Sequence, residues 1–589
     1  MQGVFSEVMP IRKSNDTLFY LIGIIPVVWL ALLLAQSLGG GLPELLRNLT
    51  RALEQPTNIV WTDKSLPTIL ICLAAYGMAV LLYRTNQGRT RDGEEHGSAA
   101  WATPASVNAQ FAQKDSIPLT QHVRLGLDTH KHRRSLNVLV IGGSGAAKTR
   151  SFVLPNILTA NTNYVITDPK SEVLLATGGY LKEQGYDVRV LNLVNLEQSD
   201  GYNPFRYLRD EKDVLKLVNN LIQSTTPKGS HESDPFWTKA ETALLQAIIL
   251  MLFQEAPEYE QNFSMVMRVL EYAEVREEDE GHVSPLDLLF ESIERRKPDS
   301  VAVRQYKVFK LAAGKTAKSI LVSAAVRLAS FTLPEIQRIT ATDDMELGKL
   351  GERKQAIFCI IPDSNDASLN FLVGMLYTQA FQEPYYQADK VHQGALPVPV
   401  RLMFDEFANV ALPDGYARLQ ATMRSRNIMS TIILQNISQL KALFKDDWEG
   451  IIGNADSFIY LGGNEQSTHK YISELLGKET IDTRTSSQSK GRNGSFSQNF
   501  QQTGRELASV DELAVLDGGK CILQLRGVRP FLSEKYDITK HPNYKYLSDA
   551  DRRNTFDIEK FLSTKLKVKP EETYEVYEID AASEKVAGS

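Results

Sequence analysis

Eight residues have the clearest chemical potential: Gly142-Gly143-Ser144-Gly145-Ala146-Ala147-Lys148-Thr149. In a glycine-rich turn, backbone N–H groups can point inward around phosphate oxygens, and a following helix adds its positive end. Lys148 is then placed to reach the β and γ phosphates of ATP, and the Thr149 hydroxyl to ligate Mg²⁺. One position departs from the pattern G-x-x-x-x-G-K-[ST], because Ala147 stands where glycine is usual. If that position requires a positive φ, alanine costs about 1 kcal/mol there, and its methyl crowds the phosphates.

A second constellation complements the first. Arg401-Leu402-Met403-Phe404-Asp405-Glu406 is an apolar run ending in two carboxylates. Asp405 is expected to hold Mg²⁺ through water, opposite Thr149. Glu406 is expected to act as the general base that polarises an attacking water. Gln435 follows another apolar run; a γ-phosphate sensor and a simple turn residue are equally consistent with it.

These residues need a scaffold. Leu136 to Ile141 has the β-branched, apolar character of a buried parallel strand, and Arg150 to Ala160 reads as the helix that leaves the loop. Further strands are expected at Tyr164 to Thr167, Val188 to Leu191, Ala356 to Ile361, Pro399 to Phe404, Met429 to Leu434, Phe458 to Leu461 and Cys521 to Leu525. Helical stretches such as Glu172 to Gln184 and Asp414 to Arg426 separate several of them. The fold class is therefore α/β, a parallel sheet covered on both faces. Between Asn203 and about Leu350 the spacing is helical, which implies an all-α domain inserted into the sheet domain. Within it, the pair Phe236-Trp237 reads as a core anchor.

The expected organisation is a membrane anchor (1–90), a first part of the nucleotide-binding domain (91–205), the helical insert (206–350), a second part of that domain (351–550) and an acidic tail (551–589). Leu18 to Ala35 and Leu66 to Tyr83 are uncharged runs of membrane-spanning length. The nucleotide site must face cytosolic ATP, so both termini are expected in the cytoplasm. Charge and composition set bounds: a formal net charge of -6 argues against bulk adhesion to nucleic acid. Cys72, Cys359 and Cys521 are too widely separated for a metal site and read as buried thiols. Thr485 to Thr503 is polar and low in complexity, and is expected to be a mobile loop. The cluster His130-Lys131-His132-Arg133-Arg134 reads as an exposed turn or a contact for DNA phosphates.

Taken in order, several motifs resemble the type IV secretion-system coupling proteins, the TraG-type ATPases of conjugation. They are the two apolar runs, His96-Gly97-Ser98-Ala99-Ala100-Trp101-Ala102, the loop Gly142 to Thr149, Asp168-Pro169-Lys170-Ser171-Glu172 and Tyr202-Asn203-Pro204-Phe205. Phe404-Asp405-Glu406-Phe407 and Gln435-Asn436-Ile437-Ser438-Gln439-Leu440 complete the set. The resemblance implies a RecA-like P-loop NTPase that forms a membrane-bound homo-hexamer. Its partners would be relaxase and relaxosome proteins, single-stranded DNA and the subunits of the secretion channel. In such a ring a neighbour often supplies an arginine, for which Arg424 and Arg426 are candidates. Two alternatives are a membrane-tethered double-stranded DNA pump of the chromosome-segregation kind and a non-hydrolysing ATP-binding docking scaffold. Ala147 favours the scaffold.

Overall fold

The computed structural model describes residues 16–38, 56–86, 94–226, 235–274, 282–312, 314–362, 369–407, 415–488 and 496–565, with isolated positions between them. Two compact units are present: Met1–Ser98 with Thr480–Gly504, and Ala99–Glu479 with Arg505–Ser589.

The larger unit is organised around strands. A short antiparallel hairpin, β1 (Ser116–Pro118) and β2 (Arg124–Gly126), comes first. Then follow β3 (Val138–Ile141), β4 (Asn163–Thr167), β5 (Asp187–Asn192), β6 (Gln355–Ile360), β7 (Val400–Phe404), β8 (Ile428–Leu434) and β9 (Ser457–Tyr460). In chain order a two-stranded ribbon, β10 (Lys478–Gln488) and β11 (Phe496–Glu506), most of which belongs to the smaller unit, precedes β12 (Lys520–Leu525) and β13 (Phe531–Glu534). Nine strands form one sheet in the order β13-β12-β9-β3-β8-β7-β4-β6-β5. From β9 to β5 every pairing is parallel, while β12 and β13 run antiparallel at one edge.

The strands read as continuous apolar runs because both faces are covered. Alternate residues of β3 enter opposite cores: Leu139 and Ile141 on one face, Val138 and Val140 on the other. One face carries the helices Glu211–Thr225, Pro235–Glu255, Phe263–Glu271, Pro285–Arg296 and Asn370–Tyr386. The other carries Pro104–Phe111, Leu154–Leu158 and Glu172–Glu183. Among the described residues no strand lies between β5 and β6; that stretch is helical and packs on the first face. Val301–Lys310 and Pro334–Ala341 are two of its helices.

Pro235–Glu255 is apolar and long enough to cross a bilayer, yet Leu244, Leu245, Ile248 and Leu250 are fully buried in the protein core. Phe236 and Trp237 at its start correct an expectation. They are 48% and 38% exposed, packed edge to face with each other at 5.7 Å, and anchor no core. They precede the stretch of that helix which turns into the core.

In the smaller unit, helices Asp16–Ser37 and Ser65–Asn86 pack together. The Tyr76 hydroxyl donates to the Tyr20 carbonyl at 3.1 Å, and the Arg84 guanidinium lies 5.2 Å from the Tyr20 ring centre. Their apolar stretches, 19 and 21 residues long, rise about 29 and 32 Å at 1.5 Å per residue, enough for a hydrocarbon core. Phe19, Leu70 and Ile71 point outward.

The ribbon corrects a second expectation. Residues 485–488 and 496–503 are strand, not loop; 489–495 lie outside the described residues, as does the tail beyond 565. Its Thr, Ser and Gln side chains suit an extended backbone without the apolar alternation that marks a half-buried strand. Cys359 and Cys521 are buried, with burial pushing both thiols up to about 12.

Candidate nucleotide site

The glycine loop leaves the C-terminal end of β3, where flanking strands hold both sides of its entry. The Gly142 N–H donates to the Leu434 carbonyl at the end of β8 (3.0 Å), and the Gly143 N–H to the Gly462 carbonyl just after β9 (2.8 Å). A Cβ on Gly143 would lie 3.1 Å from the Gly463 Cα, so a side chain here would have to push the facing backbone back by a few tenths of an ångström. On the outer side, the Lys535 ammonium donates to the Ala146 carbonyl at 3.0 Å. Gly462-Gly463 and Lys535 are positioning residues absent from the expected site. The double glycine directly after an apolar run was the available signal.

Ala147 has φ 62°, so the position does require the left-handed conformation. The helix that follows opens as a π turn, Thr149–Val153, before the α segment Leu154–Leu158. Pro155 has no N–H to give to Ser151, and Leu154 donates instead to Thr149, five residues back.

Lys148 points its ammonium at the Gly142 and Gly143 carbonyls, at 3.0 and 3.2 Å. Burial lowers its pKa, with Asp405 and Glu406 opposing that and Lys170 reinforcing it. The Thr149 hydroxyl donates to Asp405 Oδ2 at 2.8 Å. Asp405 is 5% exposed, and burial raises its pKa against the Thr149 hydrogen bond and the Lys148 charge. Glu406 follows in the left-handed region at φ 57°.

A cleft of about 330 Å³ brings these groups together with Ser144, Gly145, Gln435, Lys170 and Glu172. Asp168, Lys170 and Glu172 come from the turn after β4. The register Thr167↔Phe404 sets Asp168 beside Asp405. Asp168 is fully buried; its Oδ2 accepts the Leu174 N–H at 2.8 Å, while Oδ1 is buried without a hydrogen-bond partner. Burial pushes this carboxyl up to about 7, with the Asp405 and Glu172 charges adding. Gln435 lines the cleft at the end of β8, and its N–H donates to Gln439 Oε1 at 2.9 Å.

Arg426 is elsewhere. It precedes β8, at the N-terminal end of the parallel strands and so opposite the glycine loop, and forms a two-pronged ion pair with Asp389 at 2.8 and 2.9 Å. Arg424 donates to the Arg133 carbonyl at 3.1 Å at that same end. Neither meets the cleft within one chain. The basic cluster is partly structural: His132 is buried against the Gly126 carbonyl (2.8 Å), and Arg134 donates to the Arg526 carbonyl (2.7 Å).

A glycine loop on a central strand of a RecA-like sheet, with an acidic pair two strands away, defines the phosphate-loop class of α/β protein. Residues 99–553 match the family described as Type IV secretory system Conjugative DNA transfer, and the chain belongs to this family of conjugative coupling proteins.

It is 22% identical over 410 residues to the conjugal transfer protein TraG of Rhizobium radiobacter, covering 67% of this chain but only 60% of that relative. It is 22% identical over 494 residues to TraG of Escherichia coli, covering 77% and 76%. Among solved structures, the bacterial conjugative coupling protein TrwBdeltaN70 superposes with a TM-score of 0.55 at 16% identity, covering 77% of this chain and 97% of that one. The plasmid coupling protein TrwB in complex with ADP and Mg²⁺ gives 0.53 at 15% identity, covering 74% and 94%. These likenesses establish the RecA-like fold.

Proposed function

We propose that this chain is a cytoplasmic-membrane ATPase that couples relaxosome or protein substrates to a conjugative type IV secretion channel and energises their transfer by ATP hydrolysis. The observation that carries the reading is the Thr149–Asp405 hydrogen bond at the foot of the glycine loop. It sets a hydroxyl and a carboxylate, both hard oxygen donors, where Mg²⁺ would be held between protein and phosphates. Among the described residues no cluster of three or more His, Cys, Asp or Glu suits a metal, in keeping with an ion bound mainly through phosphate and water. When bound, Mg²⁺ supplies neutralisation of phosphate charge.

The remaining roles fall to side chains of this chain. The loop N–H groups and Lys148 bind the phosphates, Glu406 orients and polarises water, and Gln435 senses the terminal phosphate. Arg426 acts, if at all, on the site of a neighbouring copy in a homo-hexamer. Two membrane-spanning helices anchor the protein with both termini in the cytoplasm, and residues 206–350 form an inserted all-helical domain. Among the described residues every element between β5 and β6 is helical, which supports that division. Single-stranded DNA, relaxase and channel subunits are the partners of this reading.

ATP turnover by the full chain in detergent or lipid, with and without single-stranded DNA, is the test. Wild type hydrolyses ATP and Lys148→Ala does not; equal, negligible rates in both would sink the motor reading. The left-handed Ala147 favours one second reading, an ATP-binding docking scaffold. It requires nucleotide binding without turnover in wild type.

A further inference from the structure

The turn Asp168-Pro169-Lys170-Ser171-Glu172 is shaped as firmly as the glycine loop it faces. The Asp168 carboxylate accepts the Leu174 N–H, the Ser171 N–H donates to the Asp168 carbonyl at 3.4 Å, and Ser171 takes the left-handed conformation at φ 58°. Ala147, Glu406 and Ser171 are three of nine non-glycine residues with positive φ among those described, and each sits on a different turn bordering this one cleft. Strained backbone of this kind collects where a ligand must be met.

We propose that Lys170 is a second phosphate-contacting cation, which meets the terminal phosphate of a bound nucleoside triphosphate from across the cleft and so lets the site distinguish tri- from diphosphate. This rests on the nucleotide reading above.

Two observations point to that end of the nucleotide. The loop N–H groups would hold the inner phosphates, leaving the terminal one to Lys148, Thr149, Asp405, Glu406 and Gln435, which line the same cleft. The sheet order β3-β8-β7-β4 places the Lys170 turn beyond β7 on that side, three strand spacings from β3, or roughly 14 Å. Lys170 lines the same cleft as Lys148, and the two ammonium groups repel across it. Asp405 and Glu406 offset part of that repulsion at Lys148, and the negative charge of a terminal phosphate between the two ammonium groups would offset it further. Glu172, on the same turn, keeps the resting charge of the cleft balanced.

The test is calorimetric titration of the full chain in detergent with Mg²⁺ and either ADP or an imido-linked, non-hydrolysable ATP analogue. Lys170 is exposed, so substitution leaves the core intact. Lys170→Met is expected to weaken the triphosphate analogue about tenfold and ADP less than twofold, with Lys170→Arg recovering most of the difference. Equal effects on both nucleotides, or none, would overturn the proposal while leaving the nucleotide reading in place. Wild type that binds neither nucleotide while showing a normal melting transition would overturn the nucleotide reading itself, and this inference with it.

Discussion

The Thr149 hydroxyl donates to Asp405 Oδ2 across 2.8 Å, although 256 residues separate the two in the chain. The bond joins the glycine loop to the end of β7 in the protein alone, so half of the expected metal site is assembled before any ligand arrives. Removing the donor leaves a buried carboxylate short of a partner, which costs about 1–3 kcal/mol. Thr149→Val is expected to lower the unfolding free energy by that amount, read as a fall in the urea midpoint at unchanged slope, while Thr149→Ser preserves it. Identical midpoints for the two variants would show that the bond does not hold the loop.

Ala147 carries left-handed strain at φ 62°. Relief of about 1–2 kcal/mol, less about 0.5–1 kcal/mol for the extra freedom of an unfolded glycine, leaves Ala147→Gly more stable by roughly 0.5–1 kcal/mol. Ala147→Val should lose stability, since a β-branched residue tolerates this region less well. Denaturant titration of both variants decides the matter; a destabilised Ala147→Gly would contradict the strain.

Burial shifts the Asp168 carboxyl from the usual 3.8 up to about 7. Between those values the folded protein binds a proton that the unfolded chain has released. Stability attributable to this group therefore falls as pH rises through that window and is level outside it. Asp168→Asn keeps an acceptor for the Leu174 N–H but cannot titrate. The melting temperature of Asp168→Asn minus that of wild type, measured without nucleotide, should grow between pH 4 and 7 and then plateau. A constant difference would mean that the carboxyl is not perturbed.

Arg426 and Asp389 form a partly exposed pair, 23% and 42% by side chain, of the kind worth about 0–1 kcal/mol. Arg426→Ala should lose no more than that, and nucleotide affinity should stay within twofold because the residue lies at the far end of the parallel strands. Loss of turnover at unchanged affinity would mark a role on a neighbouring copy; unchanged turnover would remove that role.

Much of this was legible because the sheet is buried on both faces. Each run that became β3 to β9 or β12 is apolar enough to stand out against its surroundings, and each lies within two residues of its expected place. Asp405 opposite Thr149 was likewise readable from the order of the motifs, whereas the left-handed Ala147 was foreseen only as a condition. Short elements and those without an apolar run were silent. The ribbon β10-β11 is mostly polar, with only Ile481, Phe496 and Phe500 apolar, β1 and β2 have three residues each, and β13 begins directly after Pro530. Phe236-Trp237 misled because aromatic character signals burial only when the fold brings a partner to it. Lys170 was visible as a residue but not as a neighbour of Lys148, because that proximity depends on strand order.

Strand order also fixes when the protein can become itself. Val138 of β3 pairs with Thr431 of β8 and Ser457 of β9, about 290 and 320 residues later. At about 5–20 residues per second of synthesis, the apolar strand that will carry the phosphate loop waits on the order of 15–60 seconds for its first partner. During that interval the apolar N-terminal helices have already left the ribosome while β3 remains an unpaired, aggregation-prone edge. Assembly of the candidate nucleotide site is thus a late event in the life of the nascent chain, and conditions that slow translation or deplete chaperones should depress yield before they touch the molecules that have folded.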